Sequence, residues 1–148
     1  MTGPSSSRAD TVVAARRWVE TWDRGWRASN PDPIVALYAA DAVFLTHPFR
    51  APDTPREYVA RAFADETLVE GPRWGEPLVA GDRAAVEYWA ILRARSGPAL
   101  TISGVTVLRF RPDGLAGEHR DYWALDEGRF EPNWLRRASA TGARARGA

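Results

Sequence analysis

From Asp10 onward the apolar positions Ala15, Val19, Trp22 and Trp26, joined by Trp18, recur at intervals of three or four residues. That rhythm predicts one amphipathic helix with a single buried stripe. Asp10 is a suitable N-cap, and Asn30 followed by Pro31 predicts the end, because the residue before a proline is driven out of helical conformation. Asp32 as cap and Pro33 in the first helical position predict a second, short helix, with Ile34, Val35, Leu37 and Tyr38 on its buried side and its end by Asp41. Residues 42–48, AVFLTHP, read as a strand closed by Pro48, with Phe44 and Thr46 on one face and Val43, Leu45 and His47 on the other. Thr54-Pro55-Arg56-Glu57 is a capping box, so a third helix is expected from Pro55 to about Glu66 with Tyr58, Val59, Ala62 and Phe63 inward.

Beyond Gly71-Pro72 the pattern changes to sheet. Strands are expected over Arg73–Ala80, Arg83–Arg95, Leu100–Arg111 and from Glu118 to Gly128, separated by Gly81-Asp82, Ser96-Gly97-Pro98 and Pro112-Asp113-Gly114. Links this short cannot carry parallel crossovers, so the four segments form an antiparallel meander. Three N-terminal helices over a long sheet make an α+β layout. Such a sheet twists and curls, and helices across its concave side leave a cone-shaped space. Residues 1–9, small and polar, are expected to be disordered; residues 10–135 form one domain, and 136–148, RRASATGARARGA, form a flexible basic tail.

A length of 148 residues suits that single domain. With 20 basic against 19 acidic residues the net charge of +1 offers no electrostatic case for nucleic acid or an anionic membrane. The absence of cysteine removes disulfides and thiolate metal sites. No stretch has the length and apolarity of a signal peptide or a membrane span, which predicts a soluble, cytoplasmic protein. Seven tryptophans do change the picture, because burying them demands a generous core or a flat apolar ligand.

The candidate chemistry lies in residues 118–128, EHRDYWALDEG. At period two, His119, Asp121 and Trp123 share one face, with Arg120 and Tyr122 on the other. An acid aimed to the same side as an indole suits a cavity; alternatively Asp121 pairs with Arg120 or a neighbouring strand on a solvated face. Glu87 shares a face with Ala85, Trp89 and Ile91, and its alternative is an ion pair with Arg83, Arg93 or Arg109. The tryptophan stripe of the first helix reads as core packing or as ligand wall. His47 and His119 stand in reserve, for isolated histidines more often make structural hydrogen bonds, and no metal site is predicted from them. There is no GxGxxG, Walker-type loop or nucleophile elbow, so no cofactor is expected.

The element order, together with the phrases IVALYAADAVF, GDRAAVEYWA and RDYW, resembles the nuclear transport factor 2-like superfamily over Asp10 to Trp134. Within it the chain is most similar to the SnoaL-like, polyketide-cyclase branch that includes limonene epoxide hydrolase and ketosteroid isomerase. That resemblance implies a cone-shaped α+β fold, a homodimer formed through the outer sheet face with Tyr88 and Tyr122 on it, and a small-molecule enzyme. In limonene epoxide hydrolase a similar RDY segment carries a catalytic aspartate, which Asp121 matches, and Glu87 holds the place of a second carboxylate. Ala85 stands where that family has an arginine, and Phe44 and Thr46 where it has a water-positioning tyrosine and asparagine, so the set for epoxide hydrolysis is incomplete.

The expectation is therefore carboxylate acid–base catalysis of isomerase or cyclase type by Asp121 and Glu87, since two carboxyls in an apolar cavity cannot both ionise cheaply. Trp89, Trp123, Phe44, Thr46, Trp22, Tyr38 and Tyr58 are expected around a hydrophobic or aromatic substrate. The competing expectations are a non-catalytic ligand-binding or dimerisation protein of the same fold, and an epoxide hydrolase.

Overall fold

Ser7 rather than Asp10 starts the first helix. Its hydroxyl oxygen accepts the Asp10 amide N–H, and α1 runs over Arg8–Ala28 in a computed structural model that describes residues 7–137. The helix ends at Ser29, which adopts the left-handed conformation and returns its N–H to the Trp26 carbonyl. Asn30 then caps α2 (Pro31–Val35), placing Pro31 rather than Pro33 at the first position. This short helix stops before Tyr38, which the sequence pattern assigned to it. Tyr38 instead opens β1 (Tyr38–Leu45), because buried β-formers here continue straight into the sheet. The Thr54 cap and α3 (Pro55–Asp65) form as expected, the Thr54 hydroxyl accepting the Glu57 N–H.

The first meander strand differs from expectation. It is divided into β2 (Glu66–Trp74) and β3 (Leu78–Ala80), which pair antiparallel with successive parts of β4 (Arg83–Ala94). β2 begins directly at the end of α3 and passes through Gly71-Pro72, where the sequence pattern predicts a boundary. As an edge strand it has only one ladder to satisfy, so a proline without an N–H is tolerated. β5 (Ala99–Phe110) and β6 (Ala116–Glu127) complete the meander, and the sheet runs β1-β6-β5-β4-β2 with β1 parallel to β6. The result is a curved, open α+β sheet with its helices drawn from the N-terminal half.

Helix α1 lies across the concave face. Its buried residues Thr11, Ala14, Ala15, Trp18, Thr21, Trp22 and Gly25 form one stripe, packed with Ile34, Phe44, Val59, Val86 and Leu108. Gly25 has to be small, since a Cβ there would lie 2.7 Å from Ile34 Cδ1. On the convex face Trp89 and Ile91 form a separate cluster with Leu135 and Trp134, and residues 133–137 form a last helical turn. Arg8 and Ala9, assigned to a disordered start, are helical, and Arg136 and Arg137 belong to that last turn rather than to a tail. The disorder expected of residues 1–6 and the flexibility expected of 138–148 lie outside the described residues.

β5 and β6 approach closely at Gly104. A Cβ built there would fall 2.5 Å from the Tyr122 carbonyl oxygen and 2.7 Å from Trp123 Cβ, so the two backbones approach in a way only glycine permits. Gly104→Ala is expected to destabilise the fold by about 1–3 kcal/mol, the usual cost of forcing atoms into packed structure. Urea unfolding of the variant beside the wild type measures it.

Candidate active site

Strand register decides which side chains meet. Asp121 on β6 lies opposite Thr106 on β5, which lies opposite Val86 on β4. The neighbouring rows on that face are His119, Leu108 and Ala84 on one side and Trp123, Gly104 and Tyr88 on the other. This is the concave face. Beneath α1 and α3 it bounds a cavity of about 240 Å³ whose walls include Trp18, Trp22, Trp26, Tyr58, Trp74 and Trp123. Asp121 is buried in its interior, whereas Asp65, Glu66 and Arg50 are exposed at its rim.

Behind the Asp121 wall runs a continuous buried polar chain. Trp18 and Trp22 stand four residues apart, on one side of α1, and both indole N–H groups donate to the Tyr38 hydroxyl at 3.0 Å. That hydroxyl lies 2.8 Å from His119 Nδ1. His119 Nε2 is 3.1 Å from Asp121 Oδ2, within ion-pair distance, but the ring edge is turned so that Nε2 makes no aligned hydrogen bond. On the other oxygen, Thr106 Oγ1 donates to Asp121 Oδ1 at 2.5 Å. Phe44 stacks on the imidazole at 4.1 Å between centroids and holds the ring against movement toward β1.

The phenols respond to this environment. Burial, followed by the charge of Asp121, pushes the Tyr58 and Tyr88 hydroxyls well above the ordinary phenol range. Burial likewise raises Tyr38, against the lowering effect of the two indole N–H groups that stabilise its anion. All three therefore keep their protons at neutral pH and can act as donors. At the rim, partial desolvation by the neighbouring packed side chains and then the adjacent Asp65 raise the Glu66 carboxyl, with Arg50 opposing. The Arg50 guanidinium also lies over the Trp123 ring, 5.4 Å from its centroid.

The expected site residues divide accordingly. Asp121, His119, Trp123, Trp22 and Tyr58 line the cavity. Tyr38 and Phe44 stand behind His119 and contact it instead. Thr46 is buried and its carbonyl accepts the Trp123 indole N–H at 2.7 Å, so it fixes a wall residue without lining the cavity. His47 packs edge-on against Trp123, also outside the lining.

Glu87 and Trp89 do not join the site. Glu87 pairs with Val105, which pairs with Tyr122, so its row is on the convex face, and Gly75 lies against its Cβ carbon. Trp89 is in the second core cluster, its indole N–H donating to the Phe130 carbonyl. The same parity places Tyr88 inside the cavity rather than on the outer face, while Tyr122 is outward and 43% exposed. Alternation along β4 is faithful but its phase is ambiguous, because Val86 and Tyr88 on one side and Trp89 and Ile91 on the other are all apolar and all buried. Sequence reasoning also missed Thr106 and Tyr88; the alternation of Ile102, Gly104, Thr106 and Leu108 in β5 was the available signal for the first. Among the described residues, no group of three or more His, Cys, Asp or Glu side chains is arranged to hold a metal, and no helix is long and apolar enough to cross a membrane.

Comparison with known proteins places this architecture. The family model for the SnoaL-like domain matches residues 15–119. No curated protein matches the chain. Among solved structures, the epoxide hydrolase/cyclase-like enzyme SalBIII, described in pyran ring formation in the polyether salinomycin, superposes with a TM-score of 0.65 at 19% identity, over 79% of this chain and 99% of that one. A limonene-epoxide-hydrolase-like epoxide hydrolase from Mycobacterium tuberculosis gives 0.60 at 15% identity, over 79% and 84%. A protein from Mesorhizobium loti, described as a candidate SnoaL-like polyketide cyclase, gives 0.61 at 18% identity, over 74% and 96%. At these identities the likeness speaks to fold.

The raised phenols set an alkaline limit on stability. A folded protein that keeps phenolic protons which the unfolded chain gives up binds more protons, so its unfolding free energy falls as pH rises. The contribution of Tyr38, Tyr58 and Tyr88 is thus fully present below the unfolded value of about 10 and is lost above it, at up to about 1.4 kcal/mol per pH unit for each phenol. Urea unfolding from neutral pH to above the phenol range should show this decline, and Tyr38→Phe should make it shallower.

Proposed function

The chain belongs to the SnoaL-like domain family, and from that premise we propose that it is a cofactor-independent enzyme in which Asp121 moves a proton on a hydrophobic or aromatic carbonyl compound. The reading is of isomerase or cyclase type. The observation that carries it is a single buried carboxyl at the wall of a cavity lined mainly by aromatic and aliphatic side chains, with protonated phenols facing the same space. Asp121 would take a proton from carbon beside the carbonyl, the electron pair moving onto the carbonyl oxygen as an enolate. Tyr58 and Tyr88 are the donors available to that oxygen, and the proton would return from Asp121 at a second carbon. Trp22, Trp123 and Tyr58 would hold the flat substrate, with Tyr38, Phe44 and Thr46 acting from behind the wall.

Glu87 has no part in this reading, since its strand position points away from Asp121. The loss of a second carboxylate, added to Ala85, Phe44 and Thr46 at the places named above, argues against water activation by a carboxylate pair and so against epoxide hydrolysis by that route. Solution assembly as a homodimer through the Tyr122 face is a further part of the proposal.

Asp121→Asn tests the assignment. The amide oxygen can still accept from Thr106, so the fold and the affinity for polycyclic ketones, followed by tryptophan fluorescence, should be nearly unchanged. Exchange of the ketone α-protons for deuterium, followed by NMR, should drop by about 10²–10⁴-fold, the usual range for loss of a general acid or base. Tight ketone binding with no exchange by the wild type would identify a binding protein instead.

A further inference from the structure

Counting hydrogens around Tyr38 determines something that the heavy-atom distances do not. Indole N–H groups only donate, so Trp18 and Trp22 both give their hydrogens to the Tyr38 oxygen. A hydroxyl offers two acceptor lone pairs and one hydrogen. With both lone pairs occupied, the contact to His119 Nδ1 has to be made by the hydroxyl's own hydrogen. Nδ1 is then a bare acceptor, and the imidazole proton resides on Nε2. The reverse tautomer would place three donors on one phenol oxygen and leave the phenol's hydrogen without an acceptor.

Nε2 is sealed from both solvent and cavity, and Asp121 Oδ2 at 3.1 Å is the polar atom beside it. Around the ring stand Tyr38 and Phe44 from β1, Trp18 and Trp22 from α1, and Asp121 from its own strand, with Tyr58 of α3 beyond Phe44. We propose that Tyr38 is a positioning residue: it locks His119 in the Nε2–H tautomer, so that the nitrogen beside Asp121 always carries a hydrogen and is never basic. Thr106 donates to the other oxygen and fixes the carboxyl group's rotation, leaving its remaining lone pairs for the cavity. The catalytic consequence rests on the reading of Asp121 as the proton carrier. A bare Nε2 at this distance would accept the proton that Asp121 had taken from substrate; a protonated Nε2 cannot, so the proton goes back to substrate carbon.

The tautomer is measurable without substrate. In ¹⁵N-labelled protein carrying His47→Gln, which leaves His119 as the single histidine, long-range ¹H–¹⁵N spectra at neutral pH should show an unprotonated Nδ1 and a protonated Nε2. The opposite pair of shifts, or an averaged pair, overturns the proposal. Tyr38→Phe should move the two nitrogens toward averaged values; unchanged shifts in a variant that keeps its near-ultraviolet circular dichroism would also overturn it. In the ketone assay the same variant should lose about tenfold or more in kcat with little change in KM, the pattern of a misdirected tautomer. Should the wild type catalyse no exchange while its spectrum shows Nε2–H, the proton-transfer reading fails and the positioning role of Tyr38 stands.

Discussion

The Tyr38 hydroxyl oxygen is the point on which three separate elements converge. It accepts from two indoles of α1, belongs to the first residue of β1, and contacts the imidazole of β6. Each of these groups is buried, and each would be costly to bury alone, at roughly 1–3 kcal/mol for an unsatisfied polar group. Together they satisfy one another almost completely, and the remaining vacancy is the Nε2 edge beside Asp121. The helix, the edge strand and the last meander strand are thereby held in one relative position by hydrogen-bond stoichiometry as well as by apolar packing.

That constraint shapes the cavity. With α1 anchored through Trp18 and Trp22, its remaining indole Trp26 and the β2 residue Trp74 line the open space, and Trp74 also meets Trp18 edge-on. Gly104 of β5 stands between Trp123 of β6 and Tyr88 of β4 in one row of the ladder, so these two side chains reach the same wall across it. Polarity is graded across the resulting space: an acid and a threonine at the inner wall, phenols beside them, indoles around, and mixed charge from Arg50, Asp65 and Glu66 at the rim. On the opposite face, residues 128–137 close over Trp89 and Ile91, which explains why β4 is apolar on both sides.

Features of the chain are legible in its sequence where their cause is local. The Thr54 capping box, the tryptophan stripe of α1, the turns at Gly81 and Gly97 and the alternation of β6 all depend on neighbours within a few residues. Failures arose where two such signals competed or where the cause was remote. Asp10 and Asp32 are good caps, yet Ser7 and Asn30, three and two residues earlier, take the role. Pro72 suggested a break because nothing in the chain reveals that β2 is an edge.

The amino-acid sequence by itself determined the α+β layout, the meander, and the facing of His119, Asp121 and Trp123 to a common side, since side-chain parity within one strand follows from backbone geometry alone. Only the tertiary structure decided what stands opposite them. Register between strands is set by hairpin lengths and by the summed packing of both sheet faces, so it placed Thr106 and Val86 in the row of Asp121 and sent Glu87 to the other side. The union of Trp18, Trp22, Tyr38 and His119 was equally hidden, because it joins residues up to 101 positions apart whose hydrogen-bonding capacities are known in advance but whose meeting is not.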